Sequence, residues 1–463
     1  SVKKDTTYLV LADVNSTSVW SDILVNREKY VNKFFDIENP ISYLYPNYAQ
    51  YNLKFWGEFF MQDSIFVKNS SFYLDESKKV EFKNLMAFYD WERDQDCNKV
   101  KELEKEDQIN KLLESNENAD NLDLASNYYI VPRGFDEPMK IAIEENVDAI
   151  IPLIGIDSPL MGVAEMKEKI EKTHQIPVIF SNTNVVSVAA DKIKTKEFFK
   201  SIGLNVPKFG ILNKKDFVNE ESFLDKLGFN FPIVLKQGEG QGGKDICIAT
   251  EFSQVEEYFS NFEMALIEEF IEGNEVSIEV ICWNDTYVPL APIYKGDTNL
   301  EGIHPISRLR KGPCDFDKIS NEEIRDLARK IAINLKAEGT FDIDLIYSPE
   351  RNVIYAIEIN TRPSGTRYLS YACTGLSPLN LLIDIAVGDC DINSLESKIQ
   401  HNYALEIPIG NYEGPSPNEP VKEFINGNYI VHGPKGYQRL TISAKTLDEA
   451  YIIAKELTGN NYS

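Results

Sequence analysis

The sequence predicts an α/β protein whose core is α+β, and three observations carry that expectation. Strand-like and helix-like runs alternate between Tyr128 and Ser181, the rhythm of a parallel sheet. From Gly339 to Asn360 two period-2 strands flank a turn at 348–352, as in an antiparallel hairpin. The strand at 231–236 ends in a lysine and opens into a glycine-rich run, followed by a second strand at 246–249.

In chain order, residues 8–12 read as a strand and a polar helix follows. No glycine-rich turn comes after that strand, so nothing there binds a dinucleotide. Residues 45–127 read as an insertion, first aromatic (Phe55, Trp56, Phe59, Phe60), then charged from Glu92 to Asp123. The charged run has helical spacing and a thin apolar stripe, which predicts an exposed helix and a loop. Order returns with a strand at 128–131, a helix at 138–145, a buried-type strand at 149–154, a helix at 163–173 and a strand at 178–181. The GIDSP segment at 155–159 follows a strand's carboxyl end, where open α/β sheets bind ligands, and is a candidate substrate loop among many ordinary ones.

A helix entered at DKIKTKEFF (191–199), a run with three lysines, ends at Gly203, after which Val206-Pro207 starts an extended run. The segment after Lys236, QGEGQGGKD, formally fits G-x-x-x-x-G-K, but Asp245 stands where a P-loop needs Ser or Thr, and a strand follows where it needs a helix. A glycine lid is the better reading, because glycines let backbone N–H groups approach anionic oxygens while Lys236 supplies charge. A strand from Ala265 continues through Glu268, Glu269 and Phe270 to Glu275. The stretch 293–313 has no clear periodicity but holds His304, Arg308 and Arg310, rare positive charge in an acidic chain. A helix at 321–337 leads into the hairpin. One strand of it sets Asp342 and Asp344 on one face, and the other sets Glu358, Asn360 and Arg362 in one row. Clustered hard oxygens suit magnesium, which is completed by substrate phosphates, although an amphipathic hairpin alone could show the same pattern. A helix at 378–387 follows, and from 393 strands at 403–409, 429–431 and 439–443 and a helix at 448–457 carry no catalytic motif.

Composition bounds the function. The 463 residues suggest about three compact units. With 73 Asp and Glu against 48 Lys and Arg, the net charge of -25 repels nucleic acid and anionic membrane, so neither is an expected partner. The six cysteines are scattered without CxxC pairs, as reduced core residues of a cytoplasmic protein would be. No run has the length of a membrane span, and the start is not a signal peptide.

Lysine, glycine lid, acidic strand and acidic hairpin, in this order, resemble the ATP-grasp superfamily. Within it they resemble a single ATP-grasp unit of the carbamoyl-phosphate synthase large chain, well over 191–390, more weakly over 128–190, and not over 45–127 or the C-terminal tail. The resemblance implies an ATP-grasp fold: an N-terminal parallel α/β domain at 1–187 with its insertion, a core at 188–392 with a lid at about 206–272, and a small α+β extension at 393–463. It implies that Lys192 and Lys236 meet the nucleotide phosphates and that Gly238, Gly240, Gly242 and Gly243 close over them. It places Glu268, Glu269 and Phe270 at the adenine and Glu275 at the ribose hydroxyls. Asp344 and Glu358 would hold two magnesium ions, manganese being an alternative, with Asn360 completing the second site. Asp342 rivals Asp344, because a symmetric five-residue turn would set it opposite Glu358; register favours Asp344. Arg362, His304, Arg367 and Arg310 would face the transferred phosphoryl group and the anionic intermediate. The activity implied is an ATP-dependent ligase joining a small carboxylate to an amine through an acyl phosphate, in a chain able to form a homodimer. Its rivals are a bicarbonate-using carboxylase or carbamoyl-phosphate-synthase-like enzyme, and a nucleotide-binding interaction protein without turnover.

Overall fold

The computed structural model describes residues 8–13, 85–90, 110–114 and 127–462, apart from 156, 217–227, 229, 239–244, 301–307, 387, 411–421, 425–426 and 434–437. Five strands, β1 (Tyr8–Asp13), β2 (Leu85–Asp90), β3 (Asn110–Glu114), β4 (Asn127–Ile130) and β5 (Ala149–Leu153), form a parallel sheet in the order β4-β3-β2-β1-β5. The charged run expected as helix and loop therefore contributes a strand. Leu112 and Leu113 pair with Ala87 and Phe88 on one side and Tyr128 and Tyr129 on the other, so tertiary pairing overrides the helical spacing. Both β2 and β3 fall within the stretch expected as an insertion.

Helix α1 (Asp136–Glu144) precedes β5, and α2 (Leu160–His174) follows it. The apolar side of α2, Leu160, Val163, Ala164 and Ile170, packs on Ile150, Val178 and Phe180. Residues 178–181 form no strand; Val178 makes one parallel bridge with Ile150. The chain has already turned toward the core, where Ser181 Oγ donates to the Glu338 carbonyl at 2.9 Å. Lys167 on α2 reaches Glu171 at 2.6 Å and Glu338 at 2.9 Å, which fastens the N-terminal layer to the start of the acidic hairpin.

Next come α3 (Thr183–Ala190) and α4 (Lys192–Ser201). Asp191 caps α4 by accepting from the Ile193 and Lys194 N–H groups, and Gly203, at φ 72°, takes the left-handed turn after it. An antiparallel sheet follows, built from β6 (Phe209–Asn213), β7 (Ile233–Lys236), β8 (Cys247–Ala249) and β9 (Met264–Glu269) in the order β6-β9-β7-β8. Helix α5 (Phe252–Asn261) buries Val255 and Phe259 against Leu212, Ile233, Leu235 and Ile267 of that sheet.

The largest sheet contains β10 (Asn274–Trp283), β11 (Thr286–Pro289), β12 (Ile293–Asp297), β13 (Arg310–Gly312), β14 (Gly339–Ser348), β15 (Val353–Asn360), β16 (Tyr403–Gly410), β17 (Lys422–Phe424), β18 (Gly427–His432) and β19 (Gln438–Ala444). Its order is β15-β14-β10-β12-β13-β16-β19-β18-β17, with β11 against β10. Because β13 pairs with β16, the C-terminal strands extend the sheet that carries the hairpin. One face of β10, β14 and β15 is apolar (Val276, Ile278, Phe341, Ile343, Leu345, Ile359) and packs on α6 (Asn321–Leu335) through Ile324, Ala328 and Ile331. The Ser320–Glu323 capping box starts α6. Helices α7 (Arg367–Thr374), α8 (Pro378–Ala386) and α9 (Leu447–Thr458) complete the described chain. No described helix is long and apolar enough to cross a membrane.

Candidate functional site

The polar face of the large sheet is where the sequence-predicted residues meet. Alternation on β10 and β14 places Glu275, Ser277 and Glu279 beside Asp342 and Asp344, and β15 adds Glu358 and Asn360. Ser348 pairs with Val353 across the turn, then the ladder slips: Leu345 pairs with Ala356 but Asp344 with Glu358, leaving Ile357 as the bulge residue. The four-residue turn alone would set Ile343 opposite Glu358, and the slip moves Asp344 there.

Asp342 is engaged otherwise. Its carboxylate accepts from Ser277 Oγ at 2.7 Å and from Asn360 Nδ2 at 3.3 Å, and burial, with Asp344 adding to the rise, pushes its carboxyl up to about 6. Burial also raises the Glu358 carboxyl; Lys192 and Lys236 pull it back while Asp344 and Asp157 push it further up. Glu358, its carboxyl raised by burial, faces Asp344 in register, and a cation there would offset the repulsion between the two acids. Among the described residues no three His, Cys, Asp or Glu side chains form a metal cage. Two carboxylates and the Asn360 amide instead match the chemistry of magnesium, which keeps waters and accepts phosphate oxygens.

Across the cleft stand the lysines. The Lys192 backbone N–H, at the start of α4, donates to the Gly238 carbonyl at 3.1 Å, so the helix N-terminus and the opening of the glycine run touch. Lys236, at the end of β7, is buried and pairs with Glu268 at 2.9 Å. Lys196, one helical turn after Lys192, is wholly buried, lies 3.3 Å from the other Glu268 oxygen, and is drawn down to about 8 by burial. One carboxylate thus serves two ammonium groups. Glu269, the next residue on β9, faces the other way and pairs with Arg351 of the hairpin turn at 2.7 Å, so the structure does not join its carboxylate to that of Glu268. Phe270 follows, half-buried, where β9 ends.

Basic side chains also sit on the remaining acids. Arg308 Nη1 meets Glu275 at 2.6 Å, and Lys295 Nζ meets Asp344 at 2.6 Å. Arg362 donates through Nε to Asp157 at 2.7 Å and through Nη2 to Asn360 at 3.4 Å. Asp157 belongs to the loop after β5, so the candidate substrate loop reaches the hairpin. At the far end Arg310 donates to Glu406 at 3.2 Å and to the Gly365 carbonyl at 3.1 Å. Arg367 donates to the Ser364 carbonyl at 3.0 Å and lies over the Tyr368 ring. Glu406, fully buried on β16, also accepts from Arg439 at 2.6 Å and Thr441 at 2.9 Å. Burial opposes its charge, yet Arg439, His432 and Arg310 hold the carboxyl well below the usual range.

The structure thus sets Lys192, Lys236 and Asp344 within electrostatic reach of Glu358, with Gly238 joined through Lys192, Glu268 through Lys236, and Asn360 and Arg362 to each other; Glu275 lies on the same sheet face, and Arg310 and Arg367 meet the chain at 364–365. His304, Gly240, Gly242 and Gly243 lie outside the described residues. Sequence reasoning missed Lys196, Lys295 and the Glu406–Arg439 pair. The i, i+4 spacing of Lys192 and Lys196 could have revealed the first, since it puts both on one helix face; the others had no local signal.

A family model described as an ATP-grasp domain matches residues 189–366. A carbamoyl-phosphate synthase of Methanobrevibacter smithii is 50% identical over 338 residues, which is 73% of this chain and 90% of that protein. The carbamoyl phosphate synthase large chain of Pyrococcus furiosus is 24% identical over 277 residues, 58% of this chain and 26% of that one, so the chain spans about a quarter of such a large chain. Among solved structures, the biotin carboxylase domain dimer of the Hydrogenobacter thermophilus 2-oxoglutarate carboxylase, in complex with MgADP, ADP and bicarbonate, superposes with a TM-score of 0.59 at 17% identity, covering 76% of this chain and 85% of that one. An L-amino acid ligase from Bacillus licheniformis gives 0.57 at 16% identity, with 75% and 90% covered. At such identities these two likenesses concern the fold alone.

Proposed function

The chain belongs to the ATP-grasp family and is homologous to carbamoyl-phosphate synthase, and from that premise we propose that it is an ATP- and magnesium-dependent ligase joining a small carboxylate to an amine, with release of ADP and phosphate. The observation that carries the reading is the register of the hairpin, with Asp344 opposite Glu358 on a face that looks toward Lys192 and Lys236. Lys192 and Lys236 bind phosphate oxygens, and the glycines from Gly238 to Gly243 close over them. The chain at Glu268, Glu269 and Phe270 borders the adenine, and Glu275 accepts from the ribose once Arg308 yields.

Asp344, Glu358 and Asn360 would hold the metal, which would supply positive charge to the phosphate oxygens. Arg362 steadies the transferred phosphoryl group. A carboxylate oxygen bonds to the γ-phosphorus as the β,γ-bridging P–O bond breaks and its electron pair leaves with ADP. An amine nitrogen then bonds to the acyl carbon, phosphate departs, and the nitrogen sheds a proton. Arg310, Arg367 and His304 offset the intermediate's negative charge, and the buried Glu406 fixes the angle of Arg310. Bicarbonate as the carboxylate is the second reading, and the 50% identity to the Methanobrevibacter protein favours it.

An ADP-release screen decides between them. The purified protein is given MgATP with a panel of carboxylates including bicarbonate, then amines including ammonia, and products are weighed by mass spectrometry. An amide product supports the ligase; carbamoyl phosphate or a carboxylated acceptor supports the second reading; nucleotide binding with no ADP release under any pairing refutes both. Chelation by EDTA is expected to stop ADP release, and added magnesium or manganese to restore it.

A further inference from the structure

The contact between Lys295 and Asp344 is the least expected feature of the cleft. An ammonium group lies 2.6 Å from the oxygen of the very carboxylate that faces Glu358. The local backbone is arranged for it. Val276 pairs with Tyr294 and Glu275 with Gly296, so Lys295 is the extra residue of a bulge on β12, without a ladder partner on β10. Gly296, at φ 108°, takes a conformation that side chains resist, and an added Cβ there would come within 3.3 Å of Arg308 Cδ. Bulge and glycine together seat two cations, Lys295 on Asp344 and Arg308 on Glu275, along one acidic row. The Lys295 side chain is mostly buried, so its charge is only weakly screened.

A lysine with a purely structural task would pair with an acid that nothing else needs. Here it pairs with the acid that the proposed metal must use. We propose that Lys295 is a catalytic residue shared between two partners: its ammonium holds Asp344 until the divalent metal takes that carboxylate, then moves to an oxygen of the transferred phosphoryl group. The exchange conserves charge, because a cation enters the carboxylate's sphere as the ammonium passes to the incoming anion. It also sets an order, in which metal arrives with the nucleotide rather than before it. The inference rests on Asp344 being a metal ligand, and the test separates the two.

Manganese serves as the probe metal, followed by electron paramagnetic resonance and titration calorimetry on the full chain without nucleotide. Lys295→Met is expected to bind Mn²⁺ about tenfold more tightly than the wild type, because Asp344 no longer has a tethered competitor. The same variant is expected to bind the magnesium complex of β,γ-imido-ATP about tenfold more weakly relative to MgADP, which lacks the γ-phosphoryl group and shares the gain from the freed Asp344. Lys295→Arg, which keeps the charge and the fold if the methionine variant does not fold, is expected to leave Mn²⁺ affinity near the wild-type value. Unchanged or weaker Mn²⁺ binding by Lys295→Met overturns the shared-carboxylate half; equal losses for the imido-ATP and ADP complexes overturn the phosphoryl half. Asp344→Asn is the control. If it leaves Mn²⁺ affinity in the presence of ADP intact, the metal assignment itself fails, whereas a loss there with no gain in Lys295→Met refutes the lysine's role alone.

Discussion

Replacing Lys196 by methionine should make the protein more stable at neutral pH. The side chain is wholly buried, and with Lys236 it surrounds a single carboxylate, Glu268, at 3.3 and 2.9 Å. Two ammonium groups against one acid leave a buried surplus of one positive charge, which burial penalises and Glu268 only partly offsets. Methionine has nearly the same length and bulk without the charge, and Glu268 keeps Lys236 as its partner.

The size of the effect follows from the ammonium's displacement from 10.5 to about 8. A shift of that size corresponds to a penalty of about 3 kcal/mol at neutral pH, of which relaxation would leave about 1–3 kcal/mol as the observed gain. The pH dependence has a definite sign. Below about 8 both folded and unfolded chains hold the proton, and between about 8 and 10.5 only the unfolded chain does, so wild-type stability rises through that window. The methionine variant lacks this rise, and its advantage should shrink by about 2 kcal/mol between about pH 7 and about pH 9.5. Urea unfolding of both proteins at the two pH values measures the gap. A variant less stable than the wild type at neutral pH, or a gap that ignores pH, would refute the picture of an unbalanced buried cation.

Three further outcomes are expected. Glu358→Gln should still bind nucleotide but release almost no ADP in the screen's best substrate pair; near-normal turnover by a purified, folded variant contradicts its place between metal and phosphate. Glu406→Gln should lower stability by about 3–5 kcal/mol at neutral pH, since it strips the shared acid from Arg310 and Arg439. Because the folded Glu406 carboxyl is held well below its ordinary 4.5, its contribution is present above that value and lost as pH falls further. Acid titration of urea midpoints should therefore show a smaller decline for the variant than for the wild type. Gly273→Ala should cost about 1–3 kcal/mol or more, visible as a lowered melting temperature, because an added Cβ would sit 2.2 Å from the Tyr347 carbonyl oxygen, a backbone atom that cannot swing aside.

Much of the local structure was legible in the amino-acid order. Period-2 alternation marked β14 and β15, and the lysine-then-glycine run marked the end of β7, because each depends on neighbours within one turn or one strand. The order of those motifs along the chain was enough for the family. What they could not convey was register and long-range pairing. The pairing of Ser348 with Val353 and the slip at Ile357 together set Asp344 rather than Asp342 across from Glu358, and nothing in the turn's composition specifies the slip. Leu112 and Leu113 sit in a charged, helix-like run and become a strand only through partners at 87–88 and 128–129.

The charges show the same division. Sequence by itself determined which ionisable groups exist and which of them share a helix or strand face, since side-chain direction repeats every 3.6 or 2 residues. Only the tertiary structure decided their partners: Lys196 with Glu268, Arg362 with an aspartate 205 residues away, and Arg310 with a glutamate 96 residues further on. Coulomb attraction in a buried cleft depends on separations of a few ångströms, and those are set by how three sheets pack.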